Sequence, residues 1–370
     1  MIYAVILIVL FILAYNNKPN NKNFFWYISV MLATVILGLH NGHFHSDYPE
    51  YLLFFKGKNS MYGNINEPAS YTLELPYFYM CKFLRFFGNF DLSYIIGTYI
   101  IYFIPIFLVI KKYSQCIPLS FLLLFIINRT DLHLFLNTAH RQMVGNTFFM
   151  LAILYYAYII KEMRYIIKIR NLLSVVALLL LAVVSHSSSY FILPLLLFAC
   201  FITIYSKRLF EILLFCSLII GIFFNKLTYL IMVSIMSMLG DFEEVDRTTF
   251  YLINEVYDTG IANIQAMLPL TALTFCFVHF SNRNEINSLF TKCMVIATMI
   301  LNIFYTVPLI NRSMTTLFVL GVAGCIPASI TNNRRAKKWI FLIVALHLLI
   351  AFWQYSKPEY RLLPFEFIWE

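Results

Sequence analysis

Apolar residues run along this chain in long blocks from one end to the other, separated by short polar stretches. Roughly 20 apolar residues cross a bilayer as a helix, fewer where polar ends reach the interface. On that rule the pattern predicts spans at residues 2–15, 24–40, 92–110, 117–128, 143–160, 172–186, 190–205, 209–225, 264–280, 289–310, 315–330 and 339–355. The expected fold class is all-α: a polytopic transmembrane helical bundle of about 12 helices, forming a single transmembrane domain over residues 1–370. The block at 117–128 is short and could extend through 132–136. The first block has the length of a secretory signal, but it lacks a basic leading segment. Asn16-Asn17-Lys18-Pro19 follow it rather than small residues, so it is expected to remain as a helix. No repeat of fixed period and no low-complexity tract is visible.

Charge gives the bundle a direction. Lys and Arg are retained on the cytoplasmic side near helix ends. The clusters Lys18/Lys22, Lys111/Lys112, Lys161/Arg164/Lys168/Arg170, Lys207/Arg208, Arg283 and Arg334/Arg335/Lys337/Lys338 fall on alternate loops. All can lie inside together, which places both termini outside. Only the acids Glu162, Glu211 and Glu285 then fall inside. Acidic residues contribute little to topology, so the skew has another source: a catalytic or binding face, or simply the greater length of the outer loops.

Three outer segments are long, 41–91, 128–142 and 226–263. Within the first, residues 71–87 are aromatic with Lys82 and Arg85 a helical step apart, and read as an amphipathic helix lying at the interface. The last holds Asp241, Glu243, Glu244 and Asp246 beside Arg247, and could close as a lid over an outer cavity.

Composition excludes several classes. The chain is 61% hydrophobic and 12% charged, about half the charge of an ordinary soluble domain, so it belongs in lipid. Its net charge of +9 sits between apolar blocks rather than on a stripe, and no nucleic-acid partner is expected. The seven cysteines are scattered without C-x-x-C or metal spacing.

Candidate chemistry gathers on the outer face. His43, His45 and Asp47 stand at i, i+2, i+4, which invites a zinc reading, but no H-E-x-x-H pattern accompanies them. Asp47 can serve as an acid/base group or merely as a solvated interfacial acid. Membrane glycosyltransferases that hold a metal through an Asp-x-Asp pair offer a comparison; here the partner position is Pro49, so no metal is expected. Arg129, Arg141 and Arg312 stand where apolar spans meet the outer face, against the positive-inside bias. Guanidinium forks bind phosphate oxygens bidentately, so these arginines suit a diphosphate at headgroup level; snorkelling to lipid phosphates or a pair such as Arg129 with Asp131 is the plainer reading. His186, followed by Ser187, Ser188 and Ser189, is either part of a hairpin turn or a proton acceptor for a hydroxyl. His279 and His347 read as structural. Tyrosines near Asp47 could stack on sugar rings.

Taken in order, His45-Ser46-Asp47-Tyr48 with Tyr51, Glu67-Pro68 before an aromatic amphipathic helix, His140-Arg141-Gln142 opening a span, and Ser185-His186-Ser187-Ser188 after an apolar run resemble the EpsG-type, Wzy-like polysaccharide polymerases. The likeness in order and spacing covers roughly the first 210 residues; beyond them it is general, a long loop and Arg312 near a late helix end. The resemblance implies a GT-C-like bundle in the bacterial inner membrane, with its active site facing the periplasm. It implies an enzyme that polymerises O-antigen, capsule or exopolysaccharide repeat units carried on undecaprenyl diphosphate, without a cofactor or metal. The family-like arginine, histidine and loop acid map onto Arg141, His186 and Asp47. Arg129, His140, Arg312, Arg247, Tyr48, Tyr51 and Glu67 join them as expected diphosphate- or sugar-binding residues. Expected partners are the lipid-linked oligosaccharide, membrane lipid and a chain-length regulator protein. Arg141, Arg312 and Arg129 would cradle the leaving diphosphate, and Asp47 or His186 would be the base.

Two other classes stay in view. A flippase for the same glycans would place polar groups near the bilayer midplane, where these spans are almost free of charge. A membrane acyltransferase with His186 or His140 as base would need an inward-facing histidine cluster, which the orientation does not supply.

Overall fold

A computed structural model of the protein describes residues 2–17, 21–38, 48–66, 74–126, 140–161, 165–186, 188–224, 261–304, 308–324 and 333–356, with isolated positions between 227 and 234. The described residues form helices and turns, with one isolated bridge between Ser60 and Gly63. Their contacts gather into two compact units, Met1–Leu193 with Leu348–Glu370, and Pro194–His347.

The first unit contains α1 (Ile2–Tyr15), α2 (Lys22–Gly38), α3 (Tyr48–Lys56), α4 (Leu75–Arg85), α5 (Asp91–Tyr113), α6 (Ile117–Ile126), α7 (His140–Lys161) and α8 (Tyr165–Ser185). Then α9 (Ser189–Phe201) leads into the second unit, with α10 (Lys207–Phe223), α11 (Ile261–Phe280), α12 (Arg283–Ile286), α13 (Leu289–Ile303) and α14 (Pro308–Gly324); α15 (Arg334–Ser356) belongs to the second unit as far as His347 and to the first from Leu348.

By length and composition α5 can cross a membrane, and shorter apolar helices stand at Ile117–Ile126, Ile169–Ser185, Ser189–Phe201 and Leu289–Ile303, among others. On α8 the exposed face repeats every four residues as Leu172, Val176, Leu180 and Val184. A continuous aliphatic stripe of that kind is costly in water and ordinary against lipid tails.

Helix boundaries depart from the sequence reading in three places. Residues 48–56, expected to be loop, form α3, whose Tyr48, Tyr51, Leu52, Phe54 and Phe55 are all buried. Its apolar positions occupy several faces, so no single-sided periodicity marks it as a helix. The span expected at 289–310 is interrupted after Ile303, and α14 starts at Pro308, a residue suited to the first helical position. Arg312 therefore belongs to α14 instead of preceding it. Finally, α7 begins at His140, three residues before the apolar block.

Loops expected on one side come together. In the first unit the Asn17 amide donates to the Gln115 carbonyl at 3.4 Å, and the Lys111 ammonium stands 4.0 Å from the Trp26 ring centroid. In the second, Asn287 grips the backbone of Ile204 twice, accepting from its N–H at 2.7 Å and donating to its carbonyl at 2.9 Å. Nearby, Lys292 donates to the Ile202 carbonyl and Lys207 to that of His279. Each meeting joins two of the basic loops that charge assigned to the cytoplasm.

Between α10, α11 and α13 the second unit buries a polar hub. The Asn302 amide donates to Ser217 Oγ at 3.0 Å and contacts Thr271 Oγ1 at 2.9 Å, while Thr274 and Thr298 hydroxyls meet at 2.9 Å. Such bonds hold helices together in lipid, where hydrophobic burial gives little drive to associate. Gly221 lets α10 approach closely: a Cβ there would stand 2.0 Å from the Asn302 carbonyl oxygen. We expect Gly221→Val to force α10 and α13 apart at a cost of about 3 kcal/mol or more, since backbone cannot yield as a side chain can. A lowered apparent melting temperature of the detergent-solubilised protein checks this.

Candidate functional site

At the end of α5 away from Lys111, four helices and one loop converge on His140 and Arg141. Seventeen residues of α5 separate Tyr94 from Lys111, about 25 Å along the helix axis, close to the thickness of a hydrocarbon core. The cluster and the basic loops thus occupy opposite ends of a spanning helix.

His140 is the first residue of α7 and is buried. Its ring stacks on Tyr94, with centroids 5.5 Å apart and planes at 16°, and meets Tyr51 at 5.1 Å, Tyr102 at 5.7 Å and Tyr48 at 5.8 Å. The Tyr94 hydroxyl lies 3.0 Å from His140 Nδ1 and 2.8 Å from the Tyr77 hydroxyl, an unbroken chain of polar hydrogens under the helix start. Tyr94 and Tyr102 share one face of α5, eight residues apart, and Tyr77 and Cys81 share the buried face of α4. Burial pushes the phenols of Tyr48 and Tyr77 well above their usual range, so both stay neutral.

Arg141 follows. Its Nη1 lies 3.3 and 3.4 Å from the two Glu74 carboxylate oxygens, and its guanidinium carbon lies 5.2 Å from the Tyr62 ring centroid, a cation–π distance. Tyr62 is backed in turn by Tyr51, stacked at 4.8 Å and 13°. A cation in the first turn of a helix faces the positive end of the helix dipole, so the position needs a compensating anion. Glu74 supplies it. It occupies the N-cap of α4, with Pro76 in the first turn, yet its side chain makes no cap bond and turns to Arg141 instead. The Tyr62 loop is held by the Met61 N–H donating to Glu50 at 2.7 Å and by Arg85 donating to Asn66 at 2.9 Å. Lys56 of α3 pairs with Asp91 at the start of α5.

His186 stands at the same end. Antiparallel α7 and α8 meet at Gly145, one turn beyond Arg141, where a Cβ would lie 3.1 Å from Ser189 Oγ, 3.3 Å from the Ala182 carbonyl oxygen and 3.7 Å from Ser185 Cβ. Ser185 and Ser189 flank the His186 turn. Within that turn His186 Nδ1 accepts the Ser188 N–H at 3.1 Å and lies 2.8 Å from Ser188 Oγ.

The structure thus brings Tyr48, Tyr51, His140 and Arg141 into one cluster, with His186 on the adjoining helix end. The rings of Tyr48 and Tyr51 are covered by protein. Asp47, Glu67, Arg129 and Arg247 lie outside the described residues, as do His43 and His45. Arg312 is placed on α14 of the second unit, and its side chain lies outside the described set. Glu74, Tyr62, Tyr77 and Tyr94 were not singled out in sequence. Glu74 carried a signal nonetheless, as the lone acid at the head of an otherwise acid-free aromatic stretch. Among the described residues no group of three His, Cys, Asp or Glu is placed to hold a metal ion.

The model of the EpsG family matches residues 23–367. The chain belongs to the EpsG family. Members of this family are Wzy-like polysaccharide polymerases, so the protein has the glycosyltransferase-like function of a polysaccharide polymerase and belongs to a membrane. The EpsG match runs well past the first 210 residues on which the sequence resemblance rested and takes in α14 with Arg312. No curated protein and no solved structure matches the chain.

Proposed function

We propose that this EpsG-family protein lengthens O-antigen, capsule or exopolysaccharide chains at the periplasmic face of the bacterial inner membrane, in a GT-C-like bundle of about 12 spans. The growing glycan leaves one undecaprenyl diphosphate and is joined to a sugar hydroxyl of a second lipid-linked repeat unit. The anomeric C–O bond to the diphosphate breaks, a C–O bond to the acceptor forms, and the acceptor proton passes to a base. No metal enters this scheme. Charge grows on the leaving diphosphate, and a fixed cation there is worth most in the transition state.

The observation that carries the reading is Arg141 itself. Its guanidinium is held by Glu74 and Tyr62 at the N-terminus of the long helix α7, where backbone N–H groups and guanidinium donors favour the same anion. The position lies at the end of α5 opposite the basic loops, at headgroup level. Arg129 joins the cradle in this scheme, with Glu67 toward the sugars, while the buried Tyr48 and Tyr51 pack around His140 as support. A chain-length regulator is the expected protein partner.

Deleting the gene tests the reaction class. Cells lacking a polymerase display single repeat units on the surface, and restoring the wild-type chain returns the ladder of long glycans on a gel. Absence of all repeat units would instead assign the protein to carrier-lipid export and end the polymerase reading.

A further inference from the structure

We propose that His186 serves the reaction as a hydrogen-bond donor through Nε2–H, directed at an oxygen of the lipid diphosphate or its first sugar, and does not act as the base. This rests on the polymerase reading above. A backbone N–H can only donate. The Ser188 N–H directed at His186 Nδ1, at 3.1 Å, therefore requires a lone pair on Nδ1, and the Ser188 hydroxyl at 2.8 Å supplies a second donor to the same atom. With Nδ1 unprotonated, the neutral imidazole carries its hydrogen on Nε2.

The consequence is a reversal of polarity. An imidazole that takes a proton from a hydroxyl at Nε2 must hold its own hydrogen on Nδ1, which is why such histidines are backed by an acceptor, a carboxylate or carbonyl. His186 is backed by a donor. Turning the ring into a base would set an Nδ1–H against the Ser188 N–H and lose the bond that orients the ring. As placed, the neutral ring offers Nε2–H, and that suits an anionic oxygen. Gly145 seats the His186 turn against the first turns of α7, so the donor and the Arg141 cation belong to one helix end. Proton acceptance then passes to Asp47, the other base the sequence suggests.

The competing explanation is local. A side chain that accepts the N–H two residues ahead stabilises a turn, as Asn and Asp side chains do. Two substitutions separate the roles. In His186→Asn the amide oxygen replaces Nδ1 and keeps the turn, but nothing reaches where Nε2–H was. In His186→Gln the amide N–H replaces Nε2–H. Each is expressed as the full-length chain in the deletion strain beside wild type, and chain-length distribution, protein level and polymerisation in membrane vesicles are measured.

A donor role gives His186→Asn a loss of about 10²-fold in polymerisation at normal protein level, as removal of one anion-stabilising donor does, with His186→Gln markedly more active than Asn. Activity of His186→Asn equal to wild type overturns the proposal in favour of the turn. Equal inactivity of the Asn and Gln variants at normal protein level overturns it in favour of a base. A deletion strain that still makes long chains defeats the polymerase reading itself, whatever the variants do.

Discussion

Arg141→Ala removes long-chain polysaccharide and leaves single repeat units on the cell surface, with the protein still present in the membrane. The expectation follows from where the guanidinium sits. A cation beside developing negative charge lowers the barrier by the difference between its attraction in the transition state and in the ground state, and loss of one such group costs about 10²- to 10³-fold in rate. Truncation also removes the countercharge of Glu74, which is 23% exposed, and uncovers the Tyr62 ring. Arg141→Lys separates charge from shape. It keeps a point cation and loses the planar fork that can face a carboxylate and lie over a ring, so an intermediate ladder of shortened chains is expected. A gel of surface glycan, with blotting of membranes for protein level, checks both variants. An unchanged ladder from Arg141→Ala takes Arg141 out of the mechanism.

Glu74→Gln is the second large effect. It leaves a partly buried guanidinium facing the positive end of α7, and loss of a charged partner there costs about 1–3 kcal/mol. We expect a lower apparent melting temperature and polymerisation reduced by at least about tenfold, since a cation free to swing no longer waits at the diphosphate. The exchanged pair, Glu74→Arg with Arg141→Glu, makes the diagnosis sharper. Opposite charges again link α4 to α7, so thermal stability recovers. Polymerisation does not, because the guanidinium now extends from the head of α4 instead of from the first turn of α7. Recovery of both would mean that the pair is only a strut between helices.

Much of the fold was legible in the sequence because lipid imposes a simple rule on helices, and apolar block length reads that rule directly. The exceptions have particular causes. Helix α3 was hidden because Tyr48, Tyr51, Leu52, Phe54 and Phe55 pack on several sides, leaving no period to detect. The break before Pro308 was hidden because Lys292, Thr298 and Asn302 are too widely spaced to end an apolar run, and Phe304, Val307 and Leu309 continue it in sequence. Arg141 was legible because it violates the positive-inside bias, so its mere position demanded a reason. Its partner was not. Asp131 lies closer in sequence, and nothing in a linear pattern shows that an acid 67 residues away, at the head of a Pro-initiated helix, turns toward it. The tyrosines around His140 were counted in sequence as interfacial or sugar-facing rings. Their arrangement around one imidazole depends on four helices that meet only in three dimensions.

That tyrosine cage has an electrical consequence. Tyr62 lies against the Arg141 guanidinium and Tyr51 backs Tyr62, so rings occupy space beside that charge where water would otherwise screen it. Two unit charges 4 Å apart attract by about 1 kcal/mol in bulk water and about 4 kcal/mol at an effective dielectric constant of 20. Ring carbon in place of water beside the guanidinium therefore strengthens its pull on an arriving diphosphate.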